Sequence, residues 1–142
     1  ASLERPVKLM IALEMIGYYD STPGSQDYPS PAMSWLYPDR GDFIAVVGRM
    51  QDINAVRQVK AALLSSRDLS VYSMNAPGFI PGIDFSDHLN YWQHDIPAVM
   101  ITDTAFYRNK QYHLSGDIAD RLNYQKMAQV VDGVTTLLYN SK

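Results

Sequence analysis

Apolar positions along this chain fall into short blocks separated by turn-forming segments, and the blocks alternate between two periodicities. Residues 7–16 (VKLMIALEMI) form a mostly continuous apolar run, the pattern of a strand covered on both faces in an α/β sheet. The run stops at Gly17 and opens into residues 18–41, rich in Pro, Gly, Ser and aromatics. Loops of this length are uncommon in compact domains and are usually functional or carry short helices. Residues 42–48 (DFIAVVG) read as a second buried strand. Ile53, Val56, Val59, Ala62 and Leu63 then recur at helical spacing within residues 51–66, with Asp52 placed as an N-cap.

Residues 69–75 predict a third strand, residues 76–88 a turn-rich connection, residues 89–95 a short helix and residues 96–103 a fourth strand. The last block, residues 123–142, is a second long helix with Met127, Val130, Val131, Val134, Leu137 and Leu138 on one face and its N-cap within residues 120–123. Strands alternating with helices predict a single α/β domain over residues 1–142, with a mostly parallel or mixed β-sheet and helices on its faces. In such sheets ligands sit beyond the carboxyl ends of the strands.

Composition narrows the function. With 46% apolar residues the chain has enough material for a core, and a net charge of −3 without any basic run argues against nucleic acid as a partner. No cysteine is present, which removes disulfides, thiolate metal sites and thiol nucleophiles and leaves the compartment undecided. No apolar stretch approaches the roughly 18 residues of a membrane span, so no membrane partner is expected. The opening residues lack the charged and apolar regions of a signal peptide.

Glu14 is the only charge between residues 11 and 17. Burying a carboxylate there costs several kcal/mol unless a cation, a metal or a set of donors compensates it. Arg108 or Arg40 would serve as the cation. A glutamate at one strand end and His113 beyond another also fit half of a divalent metal site, although zinc needs at least three protein ligands. Asp87 and His88 follow Ser86, and Ser and Asp ahead of a helix read first as caps. His94 reads as a helix C-terminal residue interacting with the last carbonyls. Asp103 and Asp117 read as loop residues. Neither phosphate-binding glycine motif occurs.

Taken in order, LEMIGYYDSTPGSQDYP, GDFIAVVG, DFSDHLNYW, IPAVMITDTAFYRNKQYH and GDIADRLNYQKMA resemble the carboxyl-terminal half of the zinc aminopeptidases of the M28 peptidase family. The resemblance spans residues 7–138. It implies a pair of zinc ions at the carboxyl ends of a mixed sheet, with Glu14 matching the late strand acid among the ligands and His113 the last histidine. It also implies that Tyr112 contacts substrate and that Asp87 and His88 belong to the pocket wall or support it. The family's first histidine, its bridging aspartate and the Glu-Glu pair that supplies the general base match nothing here. The chain has no HxD and no Glu-Glu, its glutamates are Glu4 and Glu14 alone, and Ile118 stands where a threonine usually follows Asp117.

The resemblance therefore implies an incomplete di-zinc site, with zinc held weakly or not at all and no catalytic residue assigned. Three readings follow. The chain is a domain inactive as a peptidase alone; or it is half of an active metallo-aminopeptidase completed by upstream sequence or a partner; or it is a non-catalytic domain that self-assembles or binds a peptide ligand. Metal storage is disfavoured by the scarcity of ligands. Loss of upstream strands would leave an open sheet edge, which predicts a homo-oligomer.

Overall fold

A computed structural model describes residues 6–77 and 80–140. Four strands, β1 (Met10–Leu13), β2 (Ile44–Gly48), β3 (Val71–Asn75) and β4 (Ala98–Thr102), form one sheet in the order β1-β4-β2-β3. β1 runs parallel to β4 and β2 parallel to β3, while β2 and β4 are antiparallel, so the sheet is mixed. Three α-helices accompany it: α1 (Ile53–Leu63), α2 (His88–Trp92) and α3 (Tyr124–Asn140). Among the described residues no helix is long and apolar enough to cross a membrane.

Alternation along the strands sorts the core into two faces. Ile44, Val46, Val71, Val99 and Ile101 face one way and pack with Val56, Val59 and Leu63 of α1 and Val130 and Leu137 of α3. Ala45, Val47, Ala98 and Met100 face the other way, with Phe43, Ile83 and Trp92. The helical stripes are narrower than their periodicity implied. Ile53 at the start of α1 and Val131 and Leu138 on α3 are exposed, lying outside the faces that pack on the core. α1 and α3 approach closely at Gly133, where a Cβ would lie 2.8 Å from Leu63 Cα.

β1 is shorter than its apolar run, and its two faces are covered in part: Ile11 packs against one core cluster and Met10 against the other, while Ala12 is buried. The strand lies at the border of the sheet, and Leu13 is 48% exposed. The buried strands are the central pair, β2 and β4, in which every residue is buried.

Three capping expectations are not met. Asp52 precedes α1 but makes no cap; its carboxylate accepts from Arg49 Nε at 2.8 Å. Arg49 also takes the role expected of His94, since its Nη1 donates to the carbonyl of Trp92 at 2.9 Å while its guanidinium lies over the Trp92 ring. His94 is exposed and uses only its backbone N–H, which donates to Tyr91. Neither Ser86 nor Asp87 caps α2 through its side chain. Asn123 does cap α3, accepting from the Lys126 N–H at 3.0 Å.

Candidate functional site

Because β1 and β4 point the same way, the segments that leave them emerge together at one end of the sheet. Glu14 follows β1 directly, and its N–H donates to Ile101 at 3.0 Å, continuing the ladder. Its carboxylate accepts from the Ser86 hydroxyl at 2.9 Å. Neither Arg108 nor Arg40 pairs with it: the ion pairs among the described residues are Arg49 with Asp52 and Asp95, Lys110 with Asp27, and Lys126 with Asp42. Glu14 is half-buried, and its charge is met by a neutral donor and solvent.

Asp103, read from sequence as an ordinary loop residue, is the anchor of this end. It is 1% exposed and follows β4. One carboxylate oxygen accepts from the N–H groups of Gly17 at 3.1 Å and Tyr18 at 2.8 Å, and the other from Ala105 at 3.0 Å. Burial outweighs these donors and the nearby Arg108 charge, pushing its pKa up to about 6. Its own N–H donates to Met15 at 2.6 Å, so the segment carrying Glu14 is tied to the end of β4 twice.

Arg108 fixes the long loop instead of Glu14. It is 3% exposed, donates to Gln26 Oε1 at 2.9 Å and to the carbonyls of Tyr18 at 3.0 Å and Phe43 at 2.9 Å, and lies over the Phe43 ring. Gly41 admits it, since a Cβ there would lie 2.5 Å from the Arg108 side chain. The loop neck is closed by the Asp20 N–H donating to Gly41 at 2.9 Å, so residues 20–41 leave and return at one place. A short 3-10 helix, Pro31–Trp35, stiffens the excursion.

Between this loop and the sheet lies a cavity of about 110 Å³. Its floor is the second face of the sheet, including Ala45, Val47, Met100 and Thr102. One wall is the loop and β3, with Tyr28, Met33, Tyr37 and Tyr72; the other is Phe85, Phe106, Tyr107 and Tyr112. Glu14 lines it too. Backbone strain gathers here: Met15 (φ 55°), Thr104 (φ 72°), Ala105 (φ 46°) and His113 (φ 58°) all take the left-handed conformation, each at a cost of about 1–3 kcal/mol that the surrounding bonds must offset.

Of the residues nominated from sequence, the structure brings Glu14 and Tyr112 to the same cavity. His113 is exposed, its ring stacked on Tyr112 with centroids 3.9 Å apart. Asp87 is exposed and lies outside the lining. His88 is fully buried beneath it; its Nε2 donates to the Ile83 carbonyl at 2.6 Å, its ring meets Trp92 edge-on, and burial lowers its pKa. Among the described residues no three His, Cys, Asp or Glu side chains gather in a way that could hold a metal ion. Sequence reasoning missed Asp103, Gln26 and the tyrosine wall; an aspartate directly after a buried strand was the one available signal.

No family model matches this chain. It is 93% identical over all its residues to an uncharacterized protein, YfbL, of Escherichia coli strain K12, and spans 44% of that protein's length. Among solved structures, the LapA aminopeptidase of Legionella pneumophila superposes on 94% of this chain with a TM-score of 0.62 at 20% identity. LapB of the same organism superposes on 94% with a TM-score of 0.65 at 17% identity. In both, the match covers 31% of the solved chain. The mixed sheet and its helices therefore have the fold of a part of LapA and LapB.

Proposed function

We propose that these residues are the carboxyl-terminal half of an M28-type zinc-aminopeptidase unit and do not hydrolyse peptides alone. What supports the reading is the carboxylate of Glu14 on an apolar cavity, bonded to the Ser86 hydroxyl and without an ion pair among the described residues, in a chain whose fold is that of part of an aminopeptidase. In that unit Glu14 and His113 would supply two zinc ligands, and the remaining ligands and the general base would come from other parts of a longer polypeptide. A bound zinc pair would supply an activated water and charge stabilisation. This chain's own contribution is to position Glu14 and to hold the substrate's apolar portion in the cavity.

The test compares this chain with the full-length E. coli relative on aminoacyl anilides and pairs the assay with zinc calorimetry on chelator-stripped protein. The expected outcome is hydrolysis by the longer protein and none by this chain, with no tight zinc site here. Glu14→Gln and His113→Ala serve as controls for any binding seen. An active isolated chain overturns the incompleteness. An inactive longer protein overturns the peptidase reading and leaves a ligand-binding domain.

The exposed border of the sheet supports self-association as well. β1 has one paired edge among the described residues, and Leu13 is exposed beside the other. We infer a homo-oligomer of the isolated chain; a strictly monomeric species by light scattering at micromolar concentration rules it out.

A further inference from the structure

Helix α3 is apolar on two sides. On the first, Val130, Val134 and Leu137 pack into the core, and Gly133 closes against Leu63 of α1. On the second, Tyr124, Val131 and Leu138 are each more than half exposed. Ala128 and Thr135 fall between them, so positions 124, 128, 131, 135 and 138 alternate in steps of four and three, the spacing of a helix-helix seam. At 3.6 residues per turn the three large side chains start about 140–180° around α3 from Gly133. The second stripe is therefore the flank of α3 turned away from α1.

The sheet fixes where that flank looks. α1 packs chiefly against β3 and β2. α3 instead starts beside the end of β1, where the Asn123 N–H donates to the Gly17 carbonyl at 2.8 Å and a Cβ on Gly17 would lie 2.9 Å from Met127 Sδ. In the strand order β1-β4-β2-β3, the flank opposite α1 faces outward past β1, whose outer edge is unpaired among the described residues. The open edge and the open apolar flank thus share one border of the molecule. A helix with apolar residues on two sides is suited to lie between neighbours rather than at a wet surface.

Charge chooses between two occupants. Asp132 is exposed beside Val131, the midpoint of the stripe. Two copies pairing antiparallel about Val131 would bring their Asp132 carboxylates together, which disfavours a second copy. The E. coli relative keeps 93% identity across all these residues, and more than half its length lies beyond them. We propose that Tyr124, Val131 and Leu138 are the seat of an amphipathic helix supplied by that further polypeptide, packed along α3 over a stripe about 21 Å long. The inference rests on the reading of these residues as a portion of a longer unit and is independent of peptidase chemistry.

Thiol reactivity tests it. This chain has no cysteine, so Val131→Cys and, as a reference on the outer side of α1, Ala61→Cys can be labelled with a maleimide and followed by peptide mass spectrometry. In the full-length E. coli relative, carrying the same changes at the corresponding positions, the Val131→Cys site should react at least about tenfold more slowly than the Ala61→Cys site. In the isolated chain the two should react at similar rates whatever the protein concentration. Leu138→Glu should lower the Tm of the longer protein and leave that of the isolated chain unchanged. Equal labelling of the two sites in the longer protein, or a Tm there that Leu138→Glu does not move, overturns the proposal. Labelling of Val131→Cys in the isolated chain that slows as concentration rises also overturns it, in favour of a second copy. Protection without hydrolysis by the longer protein sinks the peptidase reading alone; hydrolysis without protection sinks this inference alone.

Discussion

The Ser86 hydroxyl donates to the Glu14 carboxylate at 2.9 Å across 72 residues of sequence. It joins the end of the first strand to the approach of α2, and it is the side-chain bond through which the candidate site holds its acid. Ser86→Ala should cost about 1–2 kcal/mol, the range for a hydrogen bond to a charged, partly exposed group. Urea denaturation checks this. A larger loss would mean that the hydroxyl supports the fold beyond Glu14.

Asp103 gives a pH signature with a definite sign. Its carboxyl titrates near 6 in the fold and near 3.8 when unfolded, so between these values the folded state binds more protons. Stability from this group is therefore highest below about pH 4 and falls as pH rises toward 6. His88, with its pKa lowered by burial, has the opposite slope, because the unfolded chain takes up the proton first as pH drops. Subtracting the pH profile of Asp103→Asn isolates the aspartate, and the difference should decline by roughly 2–3 kcal/mol from pH 4 to pH 6.5. A difference that grows with pH would mean that the Gly17, Tyr18 and Ala105 donors outweigh burial.

Arg108→Met removes a buried cation together with its bonds to Gln26, Tyr18 and Phe43. The carbonyls of Tyr18 and Phe43 lose donors, and the loop neck loses its clamp. The expected cost is about 3–5 kcal/mol. Hydrogen exchange locates the effect: the amides of Asp27 and Gly41 should lose protection well before those of β2 and β4.

Gly133→Ala pits helix propensity against packing. In an exposed helix the change would gain about 1 kcal/mol. Here the new methyl group meets Leu63 Cα at 2.8 Å, a backbone atom that moves only if α1 moves. The net change should be destabilising by about 1–2 kcal/mol. A stabilised variant in thermal melts would show that the two helices separate freely.

The elements were legible because the buried strands and amphipathic helices carry their periods openly. The shortening of β1 was not, since a continuous apolar run looks the same at the border of a sheet as at its centre. Direction was hidden too: nothing local to residues 42–48 marks β2 as antiparallel to β4. At the site, Glu14 stood out as a lone charge, but its partner is a serine far along the chain that resembled a helix cap. Arg49 displaced His94 at the end of α2 for the same reason, because a long cation from another element reached carbonyls that a local side chain was expected to serve. Long-range donors of this kind leave no spacing to read.

The pairing of Met10 with Ala98 sets the order in which the chain can become a protein. A ribosome delivers β1 first among the strands and its described neighbour β4 last. Among the described strands β1 has no partner until β4 is made, while β2, α1 and β3 can already close their local unit. The pairing of β1 with β4, which sets Glu14 in place, forms only once residue 98 has emerged.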